Sequence, residues 1–192
     1  MQRMQYAQWG LNPLFEPTPG CSDTIYIDDK ETGKVVDLKL DLTPDERTTH
    51  FGLRGRATNV FPVESAMLSS QLPTRPGHND PVELVAKLYW PEESRESESD
   101  ILKKVYEIAQ NERQVKDHVP EMVWAHKFED TSTAKIRKAL GIDDAEVGSR
   151  ALYIIVFRKL VPITTLSGDD FLRAWWQVVV CRCFSSCVLI IH

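Results

Sequence analysis

A chain of 192 residues, 42% hydrophobic and 27% charged, is long enough to bury a sizeable core as one domain and too ordinary in composition for a disordered or fibrous protein. A net charge of -5 argues against a nucleic-acid partner, which calls for a basic face, and no run of like charges makes a polyelectrolyte tail. The N-terminus (MQRMQYAQWGLNPLF) lacks the apolar stretch and small-residue cleavage site of a signal peptide, so the chain reads as intracellular, cytoplasmic or nuclear, and not secreted.

Residues 1–20 are polar and proline-punctuated and read as a flexible arm. Asp23 to Asp28 and Val35 to Leu42 alternate apolar with polar residues around Asp29 to Gly33, the pattern of a hairpin. After Thr43-Pro44, His50 to Leu53 and Asn59 to Val63 form a shorter pair joined by a turn from Arg54 to Thr58. The Ser-, Pro-, Gly- and Asn-containing stretch from Glu64 to Pro81 reads as a loop. A strand-like run, VELVAKLYW (Val82 to Trp90), leads to a helix from about Ser94 to Gln110. Asp117 to Pro120 turns the chain into Met122 to Phe128, and a short helix from Thr133 to Leu140 ends at Gly141, a C-terminal cap. Ser149 to Arg158 holds the most β-like run, interrupted by Leu160-Val161-Pro162. Ser167-Gly168-Asp169-Asp170 then opens a helix through Phe171, Leu172 and Trp175. There are no internal repeats. Several strands, a helix, strands and a helix make the class α+β rather than a doubly wound sheet.

Lys87 is the residue that asks for an explanation. Alternation sets it on one strand face with Val85 and Tyr89, with Leu84, Ala86 and Leu88 on the other. An ammonium among β-formers must reach water or a partner, because an unpaired buried charge is very costly. A position at a sheet edge would satisfy it. A partner is also at hand: Glu98 lines up with Ile101, Leu102, Val105, Ile108 and Ala109 on one side of the following helix. As a first-turn acid it needs no partner, since the helix dipole favours it there. A strand lysine facing a helix glutamate is also how protein kinases hold ATP phosphates.

Upstream, Gly52 to Phe61 lies where a glycine-rich phosphate loop belongs, with Arg54 and Arg56 able to offset phosphate charge. Only two glycines occur, so G-x-G-x-x-G is not satisfied and the segment alone is an ordinary hairpin turn. Cys181, Cys183 and Cys187 crowd the C-terminus, with Cys21 far upstream. They read as reduced thiols in an apolar segment rather than a zinc site, for which two spaced ligand pairs are wanted. His50, His78, His118 and His126 show no ligand spacing.

Taken together, the chain resembles the N-terminal part of the fungal-type protein kinase family, from about Phe51 to Cys181. The resemblance is carried by GRATNVF (Gly55 to Phe61), by Leu84 to Ala109, by HVPEMVWA (His118 to Ala125) and most specifically by Phe157 to Cys181. It implies a kinase-like small lobe, a twisted antiparallel sheet with one main helix, at 21–165. The start of a large-lobe helix would follow at 166–181. Lys87 would bind the α- and β-phosphates of ATP and Glu98 would orient it. Gly55, Arg56, Ala57 and Val60 would cover the nucleotide, with Ala57 where the family usually has glycine, and Val60 and Val85 would cover the adenine. Phe157, Arg158 and Lys159 would form the hinge that contacts adenine through backbone groups, and Ile155 or Val156 would guard the inner pocket.

The family's catalytic loop and magnesium-holding aspartate have no counterpart here: His-Arg-Asp does not occur, and Gly168-Asp169-Asp170-Phe171 begins a helix. After Cys181 the residues leave the helical pattern, and 182–192 read as an aberrant apolar tail from a truncated gene model. That tail is too short, and too interrupted by Arg182, to span a membrane. The implied cofactor is ATP with magnesium, the magnesium ligands being missing. The chain would bind nucleotide weakly if at all and be inactive alone; the competing reading is a non-catalytic module that binds a protein partner.

Overall fold

Alternating segments such as Lys34–Leu40 and an almost wholly apolar one, Ala151–Arg158, build one sheet in a computed structural model of the chain. The structure describes residues 24–29, 32–41, 48–49, 58–73, 82–111, 119–144, 146–160 and 165–189. Among the described residues seven strands pair antiparallel: β1 (Thr24–Asp29), β2 (Lys34–Leu40), β3 (Thr48–Thr49), β4 (Asn59–Glu64), β5 (Leu84–Tyr89), β6 (Met122–Ser132) and β7 (Ala151–Arg158). Their order is β1-β2-β4-β5-β7-β6, with β3 paired to β4 off that path. The helices among the described residues are α1 (Ala66–Gln71), α2 (Glu98–Asn111), α3 (Thr133–Ala139) and α4 (Gly168–Leu189). The α+β class expected from the element order is the one observed.

One face of the sheet forms the core. Leu38, Phe61, Ala86 and Val156, from β2, β4, β5 and β7, are 0–2% exposed within a single cluster. Each large buried side chain of this kind contributes about 1.5–3 kcal/mol over leaving it in water. Leu84, Ala86 and Leu88 point into the core, so Val85 and Lys87 stand on the other face, as the alternation predicts. The β1–β2 hairpin closes as expected. Its turn brings the Gly33 amide 2.8 Å from the Asp29 carbonyl, and Gly33 has φ +66, a left-handed conformation that glycine alone adopts without cost. Gly141, at φ +69, ends α3 with the paired return bonds of a Schellman cap, Ile142 N to Arg137 O and Gly141 N to Lys138 O, each at 3.0 Å.

Three expectations need correction. The stretch from Glu64 to Pro81 is not all loop, because α1 lies within it. The Ser65 side chain caps α1 by accepting from Leu68 N, while Asp37 of β2 accepts from the Ala66 and Met67 amides at 3.0 and 3.1 Å. Three helix amides that would otherwise lack acceptors are thus satisfied, which lets so short a helix persist with Leu68 in the core. The second helix begins at Glu98 rather than near Ser94, since 90–97 is still attached to the sheet. The helical pattern does not end at Cys181 either: α4 continues to Leu189. His50 to Leu53 and residues 1–20 lie outside the described residues.

Candidate functional site

Lys87 is not at an edge. β5 lies between β4 and β7, where Lys87 stands opposite Val60 on one side and Ile155 on the other. A charge in the middle of a sheet needs a partner from above, and α2 supplies it. The Lys87 ammonium donates to Glu98 Oε1 and Oε2 at 2.7 and 2.6 Å, with the two side chains 27% and 30% exposed. Its Nζ also lies 5.3 Å from the ring centroid of Tyr89, which is 1% exposed and two residues on along the same face. An ammonium has three N–H donors, so one remains for an incoming oxygen once Glu98 has taken two.

The helix carrying Glu98 is held at its start and again past its middle. At its start the Ser97 hydroxyl accepts from Asp100 N at 3.1 Å and donates to Asp100 Oδ2 at 2.6 Å; Glu98 and Asp100 are the first-turn acids that the helix dipole favours. Farther along, the Tyr106 hydroxyl donates to Pro120 O at 2.5 Å and accepts from Met122 N at 2.7 Å, tying α2 to the first residue of β6. Burial pushes the Tyr106 phenol up from its ordinary pKa. Leu102, Val105 and Ile108 are half-buried and Ala109 is buried, whereas Ile101, expected on the same side, is 41% exposed. Tyr89 and Tyr106 carry no motif; the one signal for Tyr89 was its place two residues beyond Lys87.

Beside the ion pair lies an apolar strip. Val85 faces Pro62 on β4 and Phe157 on β7, and Val60 faces Lys87, so these half-buried side chains share the face from which the ammonium projects. Val60, Val85, Lys87, Glu98, Ile155 and Phe157 are therefore brought together. Val156 is not: it faces Ala86 in the core, so of the two residues proposed to guard the inner pocket only Ile155 lies on the Lys87 face. Arg158 turns inward as well. Its guanidinium is 7% exposed, 2.8 Å from Glu121 Oε2 and 3.0 Å from Pro73 O. The amides expected to meet adenine are already engaged, Arg158 N with Glu121 O at 3.0 Å and Lys159 N with Glu83 O at 2.9 Å. Gly55, Arg56 and Ala57 lie outside the described residues.

No group of three or more His, Cys, Asp or Glu side chains that could hold a metal occurs among the described residues. No helix among them is long and apolar enough to cross a membrane.

A mid-sheet lysine bound through both oxygens of the first-turn glutamate of the next helix, on an α+β antiparallel sheet, is the arrangement of a kinase-like domain. The sequence itself goes further: residues 1–164 match the pattern of the family described as Fungal protein kinase, and the chain belongs to that family. The match reaches back through the β1–β2 hairpin, well before Phe51, and stops short of α4. No curated protein and no solved structure matches the chain. Kinases in general depend on ATP and magnesium.

Proposed function

We propose that this chain is the nucleotide-positioning part of a protein kinase domain, and that the complete domain transfers the γ-phosphate of ATP to Ser or Thr side chains of proteins. The observation that carries the reading is the Lys87–Glu98 pair at the border of the Val60–Val85–Phe157 strip. A flat apolar base would lie on the strip. The remaining N–H of Lys87 would then meet a phosphate oxygen, with Glu98 holding the ammonium in place. Phosphoryl transfer is mostly positioning and charge stabilisation, and the sequence holds no His-Arg-Asp and no D-F-G-type loop. In this reading the chain is a fragment that binds nucleotide weakly and is inactive alone. The test is an ADP acyl-phosphate probe that transfers its acyl group to lysines near bound phosphate, followed by mass spectrometry. Modification concentrated at Lys87 and blocked by excess ATP supports the reading. Labelling spread over the surface lysines and indifferent to ATP removes it.

A second reading has one observation in its favour. Leu172, Trp175 and Trp176 on α4 are 60%, 52% and 62% exposed, an apolar face of the kind that marks a protein contact. A scaffold that works through α4 keeps its partner in the Lys87→Ala variant, whereas a nucleotide-dependent module loses it.

A further inference from the structure

After Tyr89 the chain does not leave the sheet at once. Tyr89 faces Tyr153 in the β5–β7 ladder, and Glu92 bridges Arg150 in the same register, three steps further along each strand. The gap between has a simple cause: Pro91 has no amide to donate, although its carbonyl still accepts from Ala151 N at 3.2 Å. Beyond the bridge, Glu93 N donates to Ser149 O at 2.9 Å.

Side chains close the same seam. Arg150 Nη1 donates to Trp90 O at 3.0 Å and Nη2 lies 3.5 Å from Glu92 Oε1, while the Ser149 hydroxyl donates to Glu93 Oε2 at 2.7 Å. Arg150 is anchored from behind as well. Its amide donates to Thr133 Oγ1 and its carbonyl accepts from Thr133 N, both at 2.8 Å. A turn closed by Arg95 N on Glu92 O at 3.1 Å then delivers Ser97, the cap of α2, one residue before Glu98.

We propose that Arg150 is a positioning residue for the Lys87–Glu98 pair, and that the stapled link 90–97 fixes α2 over the sheet so that the pair is assembled before any ligand arrives. Only Ser94, Arg95 and Glu96 separate Glu93, held to the chain ahead of β7, from the cap at Ser97. The helix has no slack with which to swing away. Activation by helix movement, a common control point where a lysine–glutamate pair must form, is thereby closed to this domain. The consequence for nucleotide affinity rests on the reading of Lys87 as a phosphate ligand; the staple itself does not.

Hydrogen exchange on the whole chain tests it, comparing wild type with Arg150→Met, which keeps the apolar stem but loses the bond to Trp90 O and the Glu92 ion pair, and with Arg150→Lys. The α2 amides of Arg150→Met exchange about tenfold faster or more, as loss of charged hydrogen bonds implies. The β2 amides stay within about twofold of wild type on the same scale, and Arg150→Lys falls between. Should Arg150→Met not fold, Glu93→Gln, which weakens the Ser149 and Lys127 contacts, gives the same comparison. Unchanged α2 exchange, or equal acceleration in α2 and β2, overturns the proposal. Selective α2 acceleration in a chain that binds no ATP upholds the staple and defeats the nucleotide reading. ATP binding with α2 blind to the substitutions does the reverse.

Discussion

Glu98 presents both carboxylate oxygens to the Lys87 ammonium, at 2.7 and 2.6 Å, although the two residues come from different elements and lie eleven positions apart. Because each side chain is more than a quarter exposed, solvent screens the pair, and its contribution to stability is modest, on the order of 1 kcal/mol. Glu98→Gln therefore folds, with a melting point lowered by a few degrees at most, about what that energy implies. Its effect belongs in ligand binding: affinity for ATP falls about tenfold as the ammonium loses its fixed position. Parallel thermal melts and ATP titrations separate the two.

Asp37 gives the fold a pH dependence. Partial burial pushes its pKa up, but the Ala66 and Met67 amides, its own amide and the Ser65 hydroxyl outweigh that and hold it below its ordinary 3.8. A lowered folded value means that its stabilisation is full above 3.8 and is lost as pH falls through the folded pKa. Asp37→Ala removes the acceptor of two helix amides and costs about 1–2 kcal/mol at neutral pH. The difference between wild type and variant, followed by denaturant melts, shrinks below pH 3.8; a difference constant with pH contradicts the assignment.

Tyr106→Phe removes one hydroxyl and strands two partners, Pro120 O and Met122 N. The loss is about 1–3 kcal/mol, and it falls on α2 rather than on the core strands. Hydrogen exchange shows this as faster exchange in 102–109 against unchanged β2 amides.

Arg158 is charged and 7% exposed, so its stability depends on acceptors rather than on water. Glu121→Gln leaves the guanidinium with Pro73 O and a neutral amide, at a cost of about 1–3 kcal/mol. Arg158→Met, which removes the buried charge together with its need, costs less than Glu121→Ala. Denaturant midpoints of the two variants decide the order.

Strands were legible where their residues alternate, and alternation was enough to set Lys87 and Val85 together on one face; Val60 joins them only through the β4–β5 register. Glu98 was legible because the helix after β5 is short and amphipathic. Features that depend on long-range pairing were not. The short helix α1 holds because Asp37, twenty-nine residues before Ala66, accepts its amides; locally the apolar run Ala66-Met67-Leu68 is brief and set among serines and prolines. The inward turn of Val156 and Arg158 follows from the β5–β7 register, which a uniformly apolar run such as ALYIIVF does not reveal. The staple was hidden for the same reason: Glu92 and Arg150 are fifty-eight residues apart, and Pro91 made the strand appear to stop.

Whether Lys87 is a phosphate ligand is decided by a calorimetric titration of ATP into the wild-type chain and into Lys87→Met. Wild type binds weakly, with a Kd above about 1 μM, and the variant loses tenfold or more. Equal affinity in the two proteins, or no binding to wild type at millimolar ATP, contradicts it.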